Sequence, residues 1–148
     1  MTWVTGSGFF TGIALSGVNL NRQMIDSLDP GAMLSRTYEL PAGPRVRLRY
    51  ARRSDLPGLR ALLQQRGIEP TELELNRLVR YDPQRRAVIC ATAPMDGTEL
   101  IVGVGAIALE EKAPPETLVV DEALTDGLAD LLASALVGRA RAHARRVA

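Results

Sequence analysis

Two apolar runs joined through a turn dipeptide constrain this chain more than any other feature. Ala87-Val-Ile-Cys-Ala91 is short and apolar throughout, and Leu100-Ile-Val-Gly-Val-Gly-Ala-Ile-Ala-Leu109 is longer and equally apolar. Asp96-Gly97 lies between them, a pair suited to a tight hairpin turn. The two runs therefore read as buried strands of one hairpin. Gly103 and Gly105 on the second strand leave room for close backbone approach or a bulge.

The elements around this hairpin follow from local patterning. Arg36-Thr-Tyr-Glu-Leu40 and Arg45-Val-Arg-Leu-Arg-Tyr50 alternate polar and apolar residues on either side of Pro41-Ala-Gly-Pro44, the pattern of a second hairpin. Ser54 is placed to cap a helix, with Asp55 at the positive end of its dipole and Pro57 in the first turn. Leu56, Leu59, Leu62 and Leu63 fall on one face of that helix, and Gly67 is placed to stop it. Thr71 and Glu74 form a capping box for a short helix built on Leu75, Leu78 and Val79. Ala113-Pro-Pro115 breaks the chain, and Thr117-Leu-Val-Val120 reads as another buried strand. A last helix is expected from about Gly127, with Leu128, Leu131, Leu132, Ala135 and Leu136 on one face. Arg139, Arg141, Arg145 and Arg146 crowd its C-terminal end, where the dipole favours cations.

Composition narrows the function classes. The chain has 148 residues, 46% hydrophobic and 24% charged. A chain of this length buries roughly 70% of its unfolded surface and folds without a disulfide or metal. The formal net charge of +1 points neither to nucleic acid nor to an anionic membrane. Cys90 is the only cysteine, which excludes an internal disulfide and suits a reducing, cytoplasmic setting. Its place in an apolar strand suits a buried, inert thiol. His143 is the only histidine, so neither a metal site nor a Ser/His/Asp arrangement is expected. Gly6-Ser-Gly8 follows no strand and is not a dinucleotide fingerprint. The C-terminal arginines lack interleaved aromatics, so they read as helix-end charges.

Residues 1–21 carry no charged side chain. Gly6, Gly8, Gly12 and Gly17 interrupt that stretch, and no basic segment precedes Trp3, which argues against an anchor or signal. A weak helical stretch around Leu20–Leu28 ends at Asp29-Pro30-Gly31. We read 1–35 as an arm, flexible or packed on the domain or a partner, and 36–148 as one domain.

Several segments of that domain resemble one family. The string from Arg45 through Asp55 to Leu63 is similar to the first strand and helix of GNAT acetyltransferases. Leu100 to Ala106 looks like the family's third strand, and Glu116 to Arg141 looks like its fourth strand and following helix. The resemblance covers roughly residues 36–148. It implies an α+β fold with a mixed, mostly antiparallel sheet flanked by helices. A full GNAT domain continues past this helix with further strands and a helix, so the resemblance implies a partial fold, its C-terminal half missing. That would leave the fourth strand with an edge for the N-terminal segment, a second subunit or a partner to cover.

The resemblance also implies chemistry: transfer of an acyl group from acetyl-CoA to an amine, with no metal. The family binds acyl-CoA where the fourth strand meets the third helix, through backbone amides at a helix N-terminus. Here that region comprises Val119 and Val120, then Leu124-Thr125-Asp126-Gly127-Leu128-Ala129. Gly127 and Ala129 match the family's small residues. Leu124 stands where Gln or Arg is usual, and Asp126 adds a negative charge beside the expected phosphates. At ~4 Å and an effective dielectric near 20, a like-charge pair costs about 4 kcal/mol before screening. The same residues also suit a plain helix start, with Thr125 or Asp126 as N-cap. Glu116 stands where several GNAT enzymes carry the base that takes the amine proton. Its other reading is a solvated residue after Pro114-Pro115. The competing function is a non-catalytic GNAT-like module with a regulatory or interaction role, completing its sheet through a homodimer or partner.

Overall fold

The computed structural model describes residues 34, 36–41, 44–110 and 112–147. The expected helix at 20–28, the turn at 29–31 and most of the arm lie outside the described residues. Strand β1 (Thr37–Glu39) pairs with β2 (Arg45–Tyr50). Helices α1 (Leu56–Gln65) and α2 (Glu72–Val79) follow. Then come β3 (Arg86–Met95), β4 (Thr98–Ala108), β5 (Pro115–Val120) and α3 (Thr125–Val147). Short 3-10 turns at Arg53–Asp55 and Glu122–Leu124 lead into α1 and α3. The strands form one sheet in the order β1-β2-β3-β4-β5, every neighbouring pair antiparallel.

Strand alternation divides the core into two layers. Ala87, Ile89, Ala91 and Ala93 of β3 join one core with Leu128, Leu131, Leu132, Ala135 and Leu136 of α3. Val88 and Cys90, pointing the other way, join Leu59, Leu62 and Leu63 of α1 and Leu75, Leu78 and Val79 of α2. The sheet thus lies between α3 on one face and the α1–α2 pair on the other. Each fully buried leucine contributes about 1.5–3 kcal/mol. A β-carbon on Gly103 would come within 2.8 Å of the Leu132 side chain, so this glycine lets α3 approach β4 closely.

Several local expectations hold. Asp96 and Gly97 have φ of 49° and 83°, the doubly left-handed turn their sequence favours. The Thr71 hydroxyl accepts from the Glu74 amide at 3.1 Å while Glu74 accepts from the Thr71 amide at 2.8 Å, a complete capping box.

Others need correction. Ser54 does not cap α1; it lies inside the 3-10 turn. The Asp55 carboxylate turns back to the Arg52 amide and the Arg49 guanidinium instead of to the α1 amides. Helix α3 starts at Thr125 rather than about Gly127, because the turn at Glu122–Leu124 has already begun winding the chain. Strand β3 runs past Ala91 to Met95, extended by its partner β4, and Leu100 in that overhang is 45% exposed. Arg139 is more than a helix-end charge: its Nε donates to the Tyr50 hydroxyl at 3.0 Å, tying α3 to the end of β2.

Candidate functional site

The candidate residues occupy the two ends of β5. At its start, Ala106 pairs with Thr117 and Ile107 with Pro115, so Glu116 is the extra residue of a β-bulge. A bulged residue has no partner directly across the ladder, and Pro115 before it has no N–H to donate. The Glu116 side chain is 43% exposed, and its Oε2 lies 3.3 Å from Arg86 Nη2. Arg86 opens β3, so the pair reaches over β4 from one side to the other.

At the far end, about 16 Å away along the strand, the chain enters α3. The Asp121 amide donates to the Val102 carbonyl at 2.7 Å. Val102 is itself the extra residue of a second bulge, between the pairs Ala91–Gly103 and Thr92–Ile101. Asp121 Oδ1 accepts from the Ala123 amide at 2.9 Å, and its carbonyl accepts from the Leu124 amide at 3.0 Å. Two amides of this loop are therefore already used by the loop itself. Glu122 is mostly exposed and lies 3.9 Å from Arg66 Nη1. Residues 121–127 carry Asp121, Glu122 and Asp126 and no cation.

Gly127 has φ of +85°, a left-handed residue in the first turn of α3. A β-carbon there would fall 2.6 Å from Pro41 Cδ. Glycine is thus required by the backbone conformation and by the β1–β2 loop packed against it. The other expected binding residues are core by their side chains. Val119 faces α1–α2, Val120 and Leu128 belong to the core between the sheet and α3, and Ala129 is wholly buried. Leu124 packs half-buried on the α3-side core. Val119, Val120, Leu128 and Ala129 bury their side chains and can meet a ligand only through their backbone. Thr125 and Asp126 are placed by their backbone as the first two residues of α3.

A second polar cluster lies where β2 leads into α1. Asp55 receives Arg49 through both carboxylate oxygens, at 2.6 and 2.8 Å, and the Arg52 amide at 2.8 Å. Burial pushes the Asp55 carboxyl up, but these hydrogen bonds and the arginine charges outweigh burial and hold it below the usual carboxylate range. Nearby Cys90 is fully buried, and burial with the Asp55 charge pushes its thiol up to about 12. Such a thiol is inert at neutral pH. Burial likewise raises Tyr81 to about 12, and its hydroxyl donates to the Ala51 carbonyl at 3.0 Å. No group of three or more metal-ligating side chains converges among the described residues. No helix among them is long and apolar enough to cross a membrane.

The structure brings Arg86, Arg66 and Pro41 to these sites, and sequence reasoning missed all three. Nothing local marks Arg86 among the many arginines, and Pro41 belongs to a turn far upstream of Gly127.

No family model matches the sequence, and no curated protein sequence does. Among solved structures, the GNAT domain of S. lividans PAT superposes with a TM-score of 0.61 at 15% identity, over 76% of this chain and 74% of that one. The fold is GNAT-like. The likeness agrees with the fold that the sequence resemblance implies.

Proposed function

We propose that this domain is an acyl-CoA-dependent N-acyltransferase that moves an acetyl group from acetyl-CoA to an amine. The observation that carries the reading is the place of Glu116. It is the bulge residue of an edge strand, with a half-exposed carboxylate, on a GNAT-like sheet. The amine nitrogen attacks the thioester carbonyl; a C–N bond forms and the C–S bond breaks. The amine proton passes to Glu116, directly or through water, and the thiolate leaves. Among the described residues β5 has one strand neighbour, β4. Its other edge offers the Val120 backbone groups to an extended pantetheine arm, as to an added strand, while those of Val119 are turned toward β4. Backbone amides from Leu124 to Ala129 would hold the pyrophosphate. The single buried cysteine suits a cytoplasmic enzyme.

A second reading has its own observation. The loop before α3 is acidic, and its Ala123 and Leu124 amides are already bonded to Asp121. This favours a non-catalytic GNAT-like module that uses the β5 edge to pair with a second copy or a partner strand. Calorimetry and thermal shift with acetyl-CoA separate the two. Saturation at 100 times Kd adds about 2.7 kcal/mol of stability. On the enzyme reading acetyl-CoA binds, and Glu116→Gln keeps that binding while turnover falls at least tenfold. The absence of any shift at millimolar acetyl-CoA would sink that reading, and a concentration-dependent dimer by light scattering would support the second.

A further inference from the structure

We propose that Arg86 is a positioning residue for Glu116, an inference that rests on Glu116 being the base. The Arg86 backbone is fixed on both sides. Its amide donates to the Asp82 carbonyl at 2.9 Å, and Arg86 pairs with Ala108 across the β3–β4 ladder. From there the side chain must cross β4 to reach β5, a span of about 10 Å for two strand spacings. It can do so because β4 presents only Ala106 and Ala108 on that face at this end. Ala106 belongs to the α1–α2 core, and Ala108 follows two residues on. Larger residues there would stand between the two charges.

The contact then orients a side chain that little else controls. Glu116 is the unpaired bulge residue, and among the described residues no other side-chain hydrogen bond or ion pair holds its carboxylate. Arg86 pins Oε2 and leaves Oε1 to take a proton. The restraint is mutual. Arg86 Nε is buried without a partner, the Arg86 side chain is only 27% exposed, and Glu116 is the one carboxylate in ion-pair range of its guanidinium among the described residues. A base oriented by a third group is a recurring arrangement where proton transfer depends on direction.

The test uses the full chain with acetyl-CoA and two primary amines, lysine and spermidine, following thiol release. Arg86→Gln and Ala108→Leu are expected to lower kcat at least tenfold, with KM for acetyl-CoA unchanged within twofold. Arg86→Lys should retain most of the turnover, and Arg86→Gln should cause no further loss in a Glu116→Gln background. The Arg86 Nε–H resonance should move in Glu116→Gln, a readout that needs no turnover. Wild-type protein without turnover would bring down Glu116 as a base, and the positioning role with it. Turnover that Arg86→Gln leaves intact would overturn the positioning role alone. A kcat loss that Arg86→Lys fails to restore, with thermal midpoints falling in parallel, would also overturn it, and so would an Arg86 resonance that ignores Glu116→Gln.

Discussion

The chain passes from strand to helix through a 3-10 turn twice, and the two junctions treat their carboxylates differently. Between β2 and α1, Asp55 is 4% exposed and receives a two-pronged arginine and a backbone amide. Between β5 and α3, Asp121 bonds its own loop and Glu122 lies at the outer limit of contact with Arg66. The first junction is a structural clamp: charge, hydrogen bonds and burial converge on one carboxylate. The second concentrates negative charge where the acyltransferase reading places phosphate, and holds its shape through backbone turns and the Gly127–Pro41 contact. The difference shows that a junction's geometry and its ligand chemistry are set separately, since both junctions deliver a helix to the sheet.

Breaking the first junction should have the largest effect. Asp55→Ala leaves Arg49 without its partner in a partly buried site and should cost about 3 kcal/mol in denaturant unfolding. Its pH signature follows from the depressed carboxyl. The stabilisation is complete above about pH 4, the ordinary carboxylate value, and is lost as pH falls through the lower folded-state value. Wild type should therefore lose this contribution progressively as pH falls below about 4, while Asp55→Asn lacks it at every pH. Unfolding curves that coincide for the two at pH 7 would remove the clamp from the account.

At the second junction, Gly127→Ala forces a β-carbon into a left-handed backbone and against Pro41, and should cost about 2 kcal/mol. A thermal midpoint unchanged by this substitution would show that Pro41 yields freely. The smallest effect on stability is expected from removing charge from this loop. The pair Glu122→Gln with Asp126→Asn should alter stability by no more than about 0.5 kcal/mol. On the acyltransferase reading it should tighten acetyl-CoA binding by roughly tenfold at low salt, equivalent to about 1.4 kcal/mol. An affinity that does not respond would mean that acetyl-CoA, if bound, does not use this loop.

Much of the scaffold was legible in the sequence. The apolar runs at 87–91 and 100–109 with Asp96-Gly97 gave the central hairpin, and Thr71 with Glu74 gave the start of α2. The leucines from Leu128 to Leu136 gave the buried face of α3. The candidate site was legible only as positions. Glu116 and Gly127 stood out only through the resemblance to the GNAT family. Neither Glu116's bulge nor its arginine could be read from the chain, and Gly127's contact with Pro41 was equally hidden. Ser54 misled because a capping residue type says nothing of the arginine that draws its neighbour Asp55 away.

What the sequence determined by itself is what depends on neighbours along the chain: periodicity, turn torsions, capping and the two-sided alternation that commits β3 to two cores. These act within a few residues, where backbone stereochemistry leaves few alternatives. The tertiary structure alone decided what depends on register. It placed Arg86 across β4 from Glu116, brought Arg139 to Tyr50 across 89 positions, and pressed Pro41 against Gly127. A shift of one residue in strand pairing would turn Arg86, Glu116 or Tyr50 to the opposite face. The sheet's pairing as a whole therefore fixes them, and no segment of it does so alone.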